Sequence, residues 1–181
     1  YLITRDDPVG PRVFLARLRR ALEGGVRLVQ LRAPDLADRD YAELATAAWD
    51  LCRSQGARLL LNRDLARTHG LACDGLHLAP QQLARLRERP RDWGLMGASC
   101  QGAADLVRAA DLGLDYALLS PLQAKSRHSG ALQLDWEGFA ALVEAARLPV
   151  YALGGLGVGD LDLAIDRGAQ GVAVAEGPGS P

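Results

Sequence analysis

The chain has 181 residues, 49% hydrophobic and 5% aromatic, with a formal net charge of -1. That length suits one domain, residues 1–181, burying about 70% of its unfolded surface, and the charge excludes the global basic field expected of a nucleic-acid binder. No apolar run approaches a membrane span and no signal-peptide pattern is present, so no membrane partner is expected.

Short apolar runs alternate with helical stretches along the whole sequence. Residues 2–4 read as a strand and 11–23 as a helix stopped by Gly24 and Gly25. A strand at 26–31 precedes a helix at 38–54, with Gln55-Gly56 as its stop. The third strand, 58–61, leads into a short helix at 64–69, and the fourth, 75–78, into a helix at 81–89. Strands at 95–99, 116–119, 150–153 and 171–175 follow, with helices at 102–111, 135–146 and 160–167 between them. Eight nearly continuous apolar strands between amphipathic helices imply a parallel sheet buried on both faces. Eight such units close into an α/β (β/α)8 TIM barrel. An open flavodoxin-like sheet needs fewer strands, and no consensus residue recurs at the fixed offset that a solenoid requires. The eighth helix is short or missing, because only Glu176-Gly-Pro-Gly-Ser-Pro181 follows the last strand. The groove beside the first and seventh helices is then expected to take a partner: a second copy of the chain, or a domain fused on the N-terminal side.

Cys52, Cys73 and Cys100 leave an odd thiol and no C-x-x-C pair, which predicts a reduced, cytoplasmic setting. The sequence opens at Tyr1 on a strand, without methionine, and is expected to be processed or part of something longer.

In such barrels the chemistry lies where strands end and loops begin. Those positions hold Gln30, Arg32, Asn62, Arg63, Gln82, Ser99, Cys100, residues 120–130, Gly154, Gly155, Ala175 and Glu176. Gly154-Gly155 follows an apolar strand and precedes a helix. It suits backbone N–H groups approaching a phosphate, and equally a tight strand-to-helix turn. The loop at 120–130 sets Lys125, the only lysine in the chain, within three residues of Arg127 and His128. At a barrel mouth this is an anion clamp or a lid, although a solvated basic loop has the same composition. His128 can titrate near neutral pH and serve as acid or base. His77, between two leucines, reads as a satisfied core histidine before a catalyst. With Cys73 it lacks the two further ligands a metal needs. Cys100, at a helix start, reads as a buried thiol before a reactive one.

Together these segments resemble the thiamine-phosphate synthase and thiazole tautomerase family. The resemblance rests on Val-Gln-Leu-Arg (29–32), Leu-Leu-Asn (60–62), Gly-Leu-His-Leu (75–78) and Gly-Ala-Ser (97–99). It continues through Asp-Tyr-Ala-Leu-Leu-Ser-Pro (115–121), Tyr-Ala-Leu-Gly-Gly (151–155) and Gly-Ala-Gln-Gly-Val-Ala (168–173), in the family's order and spacing. The 126–130 loop and Asp-Trp-Glu-Gly-Phe (135–139) look closest to a branch fused behind a Nudix hydrolase domain. The resemblance implies joining of hydroxymethylpyrimidine diphosphate to a thiazole phosphate with release of pyrophosphate. It implies a pyrimidine pocket of Gln30, Arg32, Asn62 and Ser99. It places the thiazole phosphate, a small phosphorylated ligand, against Gly154-Gly155 and the strand end at Val174-Ala175.

The departures concern the metal. The family's pocket lysine falls on Pro34, its two magnesium carboxylates on Arg63 and Gln82, and its two loop threonines and lysine on Lys125, Arg127 and His128. Magnesium is held by hard oxygen ligands, so the magnesium site is read as lost and no cofactor is expected. Exchanging two carboxylates for Arg63 and Gln82 while losing a divalent ion leaves that corner roughly one charge more positive. Side-chain cations are therefore expected to stand in for the ion. The sequence supports three readings: an active transferase with Arg32 and His128 in catalytic roles, a tautomerase-like enzyme using His128, or an inactive module binding a phosphorylated thiamine fragment beside a fused hydrolase.

Overall fold

A computed structural model describes residues 1–4, 10–122 and 134–175. Eight parallel strands follow in the order β1-β2-β3-β4-β5-β6-β7-β8 and close into a barrel, with helices between strands: the (β/α)8 architecture the alternating pattern predicts. The described residues form two compact units, the first from Tyr1–His77, Trp93–Leu95 and Ala175, the second from Leu78–Asp92 and Met96–Val174.

The first unit contains β1 (Leu2–Ile3), α1 (Gly10–Glu23), β2 (Leu28–Leu31), α2 (Asp38–Ser54), β3 (Arg58–Leu61), α3 (Leu65–Thr68) and all but the last residue of β4 (Gly75–Leu78). Ile3 pairs with Gln30, Gln30 with Leu60, and Leu60 with Gly75. In α2, Tyr41, Leu44, Ala45, Ala48, Leu51 and Cys52 are buried, the three-four spacing of one apolar face. The predicted strand at 26–31 begins two residues late. Val26 donates its N–H to Ala21 and Arg27 bonds the Leu22 carbonyl, so these residues close the end of α1. At Asp74, before β4, the N–H meets the Leu59 carbonyl while the carboxylate accepts the Leu59 N–H.

The second unit contains α4 (Pro80–Arg85), β5 (Leu95–Cys100) from Met96 onward, α5 (Ala103–Asp111), β6 (Tyr116–Leu119), α6 (Trp136–Glu144), β7 (Val150–Leu153), a 3-10 turn (Val158–Asp160), α7 (Leu161–Asp166) and β8 (Gly171–Ala175) up to Val174. Asp115 repeats the Asp74 device: its N–H meets the Met96 carbonyl, and its carboxylate takes the Met96 N–H and the Arg89 guanidinium. The Asp135 side chain caps α6 on the Gly138 N–H at 2.8 Å. Helix α4 ends at Arg85, four residues before its predicted end. The Arg108 guanidinium binds the carbonyls of Leu83, Ala84 and Leu86, and the first two are acceptors that another turn of helix would use. Among the described residues no helix is long and apolar enough to cross a membrane.

Candidate active site

The first unit orders its polar strand ends through a few hydrogen bonds. Gln30 is only 3% exposed, and its amide oxygen accepts the Tyr1 hydroxyl at 2.9 Å. The same hydroxyl lies 3.4 Å from Nδ1 of His77. The two rings meet edge-on, with centroids 6.3 Å apart. Asn62, at the end of β3, donates from its amide nitrogen to the His77 carbonyl at 2.8 Å. Past the end of β1, Thr4 extends the ladder. Its N–H bonds the Gln30 carbonyl, and its hydroxyl accepts the Arg32 N–H at 2.9 Å. The Arg32 backbone is thereby fixed while the residue is exposed. His77 is fully enclosed, and burial lowers its pKa to about 3. It is neutral at physiological pH, the core histidine that its flanking leucines predict.

Arg63 is 8% exposed. One of its nitrogens donates to the Leu36 carbonyl at 2.6 Å and lies 3.1 Å from the Asp38 carboxylate. The guanidinium carbon sits 4.5 Å from the Tyr41 ring centre, within cation–π range. Tyr41 donates its hydroxyl to the Leu31 carbonyl, and burial pushes its pKa up. Arg63 is thus anchored beneath the loop that follows Arg32.

In the second unit, a Cβ on Gly154 would overlap the Leu122 backbone, whereas Gly155 has φ +66° and open space around it. The Leu122 N–H bonds the Leu153 carbonyl at 3.0 Å. Asp160 caps the turn beyond, accepting the Gly157 N–H at 2.8 Å. Ser99 is half-buried opposite Leu118 in the ladder, and Val174 is half-buried. Ala175 of the first unit is exposed. Gln82 accepts the Ala79 N–H at 2.8 Å, capping α4. Cys100 is buried, and burial with the Asp105 carboxylate pushes its thiol up to about 12, far from a reactive thiolate. Lys125, Arg127, His128 and the segment 176–181 lie outside the described residues.

Arg63 and Gln82 do not fit magnesium. One is a cation paired with Asp38, the other an amide engaged in a helix cap, and the ion needs hard anionic oxygens. Among the described residues there is no group of three or more His, Cys, Asp or Glu able to hold a metal.

Tyr1, Thr4, Asp38 and Tyr41 are the functional neighbours that strand-end reasoning misses. For Tyr1 a signal exists: it stands two residues before Ile3, so strand alternation puts it on the side of Ile3 and its partner Gln30.

A closed barrel of eight parallel strands with helices between them defines the (β/α)8 class, whose members carry their sites on the βα loops. Residues 1–177 match the family described as thiamine monophosphate synthase, and the chain belongs to that family. It is 26% identical over 179 residues to a thiamine-phosphate synthase of Fusobacterium nucleatum subsp. nucleatum, covering 98% of this chain and 87% of that one. It is 36% identical over 157 residues to a thiamine-phosphate synthase of Herpetosiphon aurantiacus, covering 86% and 76%. In fold it is similar to a thiamine phosphate pyrophosphorylase from Pyrococcus furiosus, with a TM-score of 0.78 at 23% identity over 97% of this chain and 84% of that one.

Proposed function

We propose that the chain joins hydroxymethylpyrimidine diphosphate to a thiazole phosphate without a resident magnesium ion. The thiazole nitrogen attacks the methylene carbon, a C–N bond forms, and the C–O bond breaks with its electron pair leaving on pyrophosphate. The observation that carries this reading is the pair Gln30 and Asn62. Both are amides held by Tyr1 and the His77 carbonyl, Gln30 within β2 among Leu28, Val29 and Leu31, and Asn62 just past the leucines of β3. A packed core has no use for two such amides, whereas a small heterocycle does.

Arg32, exposed on a backbone fixed by Thr4, is the guanidinium offered to the diphosphate. Ser99 contributes a hydroxyl to the pyrimidine. Gly154, Gly155, Val174 and Ala175 receive the thiazole phosphate through backbone groups, and Lys125, Arg127 and His128 supply cationic charge and a proton donor for the leaving group. Arg63 contributes its charge from beneath the loop, because Leu36, Asp38 and Tyr41 engage its guanidinium. A cytoplasmic setting agrees with the free cysteines Cys52, Cys73 and Cys100.

Pyrophosphate release from the two substrates, with added magnesium and with chelator, tests the proposal. Release is expected in both conditions. Strict dependence on magnesium contradicts the metal-free reading, and no release in either condition contradicts the transferase.

A further inference from the structure

We infer that Arg63 is a positioning residue: its guanidinium ties down the β2–α2 loop, residues 32–37, so that Arg32 stands in its working place before any ligand arrives. The inference rests on the transferase reading, in which Arg32 meets the diphosphate, and adds to it the group that holds Arg32 there.

The loop has little packing of its own. Arg32, Pro34, Asp35 and Ala37 are exposed, Ala33 and Leu36 are half-buried, and the nearest buried residues are Leu31 before the loop and Tyr41 after it. Such a segment opens readily unless polar contacts hold it. At its start, the Thr4 hydroxyl accepts the Arg32 N–H at 2.9 Å. At its far end, one Arg63 nitrogen donates to the Leu36 carbonyl at 2.6 Å and lies 3.1 Å from the carboxylate of Asp38, the first residue of α2. The guanidinium carbon is 4.5 Å from the ring centre of Tyr41, whose hydroxyl returns to the Leu31 carbonyl. The end of the loop and the first turn of α2 are thus gathered on one guanidinium.

Burial decides how that guanidinium acts. The Arg63 side chain is 5% exposed, too enclosed to close on a ligand itself, so its effect passes through the loop it holds. The planar fork is needed, because a carbonyl, a carboxylate and a ring face are met by one flat group, and an ammonium has no face to lay on a ring. Arg67 reaches the same Asp38 oxygen at 2.7 Å with a side chain that is 44% exposed, which makes it the natural control. An untied loop holds the working arrangement only part of the time, and apparent affinity falls by that fraction. Bound substrate then restores the order, so the signature of positioning is a raised KM at constant kcat.

Arg63→Lys keeps the charge and gives up the fork. In the unliganded variant, hydrogen exchange at Ala33, Asp35, Leu36 and Ala37 is expected to quicken about tenfold. The KM for hydroxymethylpyrimidine diphosphate is expected to rise about tenfold, with kcat and the KM for thiazole phosphate within about twofold of native. Arg67→Ala is expected to leave the loop exchange within about twofold of native. A thermal melt confirms that both variants are folded. Native exchange and native KM in Arg63→Lys overturn the inference and leave the transferase reading standing. A fall in kcat at constant KM also overturns it, since the guanidinium would then act on the departing pyrophosphate. Equal loosening in Arg67→Ala would assign the tie to Asp38 rather than Arg63. No pyrophosphate release by the native protein overturns the transferase reading and this inference with it.

Discussion

Gly154 is packed so closely on Leu122 that a Cβ at the glycine would overlap the Leu122 carbonyl. The approach lets the Leu122 N–H reach the Leu153 carbonyl and continue the ladder past the end of β6. Gly155 is a glycine for a different reason, since its φ of +66° is a left-handed conformation in open space.

The two positions therefore respond differently to alanine. Gly154→Ala must push strand and loop backbone apart and is expected to cost about 3 kcal/mol or more. Gly155→Ala meets nothing and is expected to cost about 1–2 kcal/mol, the left-handed penalty alone. Urea denaturation of the two variants checks the order, and equal losses would refute the distinction.

Arg63 and Asp38 make the second prediction. The Asp38 side chain is 65% exposed and that of Arg63 5%, so the pair is screened on one side only. Asp38→Ala is expected to cost about 1 kcal/mol. Arg63→Ala also gives up the Leu36 hydrogen bond and the Tyr41 contact, and is expected to cost about 3 kcal/mol. Arg63→Asp restores a carboxylate at the family's metal position but sets it against Asp38 with Gln82 unchanged. Magnesium titration of that variant is expected to show no gain in affinity, and a clear gain would mean that Arg63 alone displaces the ion.

Most of the fold was legible because the barrel writes itself in period and punctuation. Gly24-Gly25 and Gln55-Gly56 stop helices, and the runs Arg-Leu-Leu-Leu at 58–61 and Tyr-Ala-Leu-Leu at 116–119 are the strands observed. What escaped was set by distant partners. Arg108 ends α4 from 22 residues beyond its last bonded carbonyl, and nothing near Arg85 announces it. At the site, Gln30 and Asn62 were readable from their positions at strand ends. Their orientation was not, because it depends on Tyr1, 29 residues from Gln30, and on the His77 carbonyl, 15 residues from Asn62. Arg63 was readable as a charge change, but not as a guanidinium drawn under a loop, because Asp38 and Tyr41 lie on the neighbouring helix.

Burial of His77 couples stability to pH. Its pKa is about 3 in the folded protein against 6.5 for an unconstrained histidine. Between those values the unfolded chain holds a proton that the folded one refuses, so stability falls as pH is lowered through 6.5 toward 3 and is flat above. The slope from this residue is about 1.4 kcal/mol per pH unit within the window. Carboxylates add their own dependence below about pH 5. The useful quantity is therefore the stability of the native protein minus that of His77→Gln, measured from pH 7.5 to 5. The difference is expected to shrink as the pH falls. A constant difference would show that the imidazole takes up its proton in the folded state.

Arg108 joins helix α5 to the end of α4 through three carbonyls, those of Leu83, Ala84 and Leu86, at 2.7, 3.0 and 2.8 Å. The planar fork matters more than the charge, because an ammonium group cannot span three oxygens that a guanidinium reaches from two nitrogens. Arg108→Ala is expected to cost about 2 kcal/mol and Arg108→Lys about 1 kcal/mol. The local signature is more decisive than the total. The Leu86 N–H, bonded to the Gln82 carbonyl, closes the last turn of α4, and its hydrogen exchange is expected to accelerate in Arg108→Ala well before the β5 amides respond. Exchange that quickens equally in α4 and β5 would mean that the guanidinium supports the whole unit rather than one helix end.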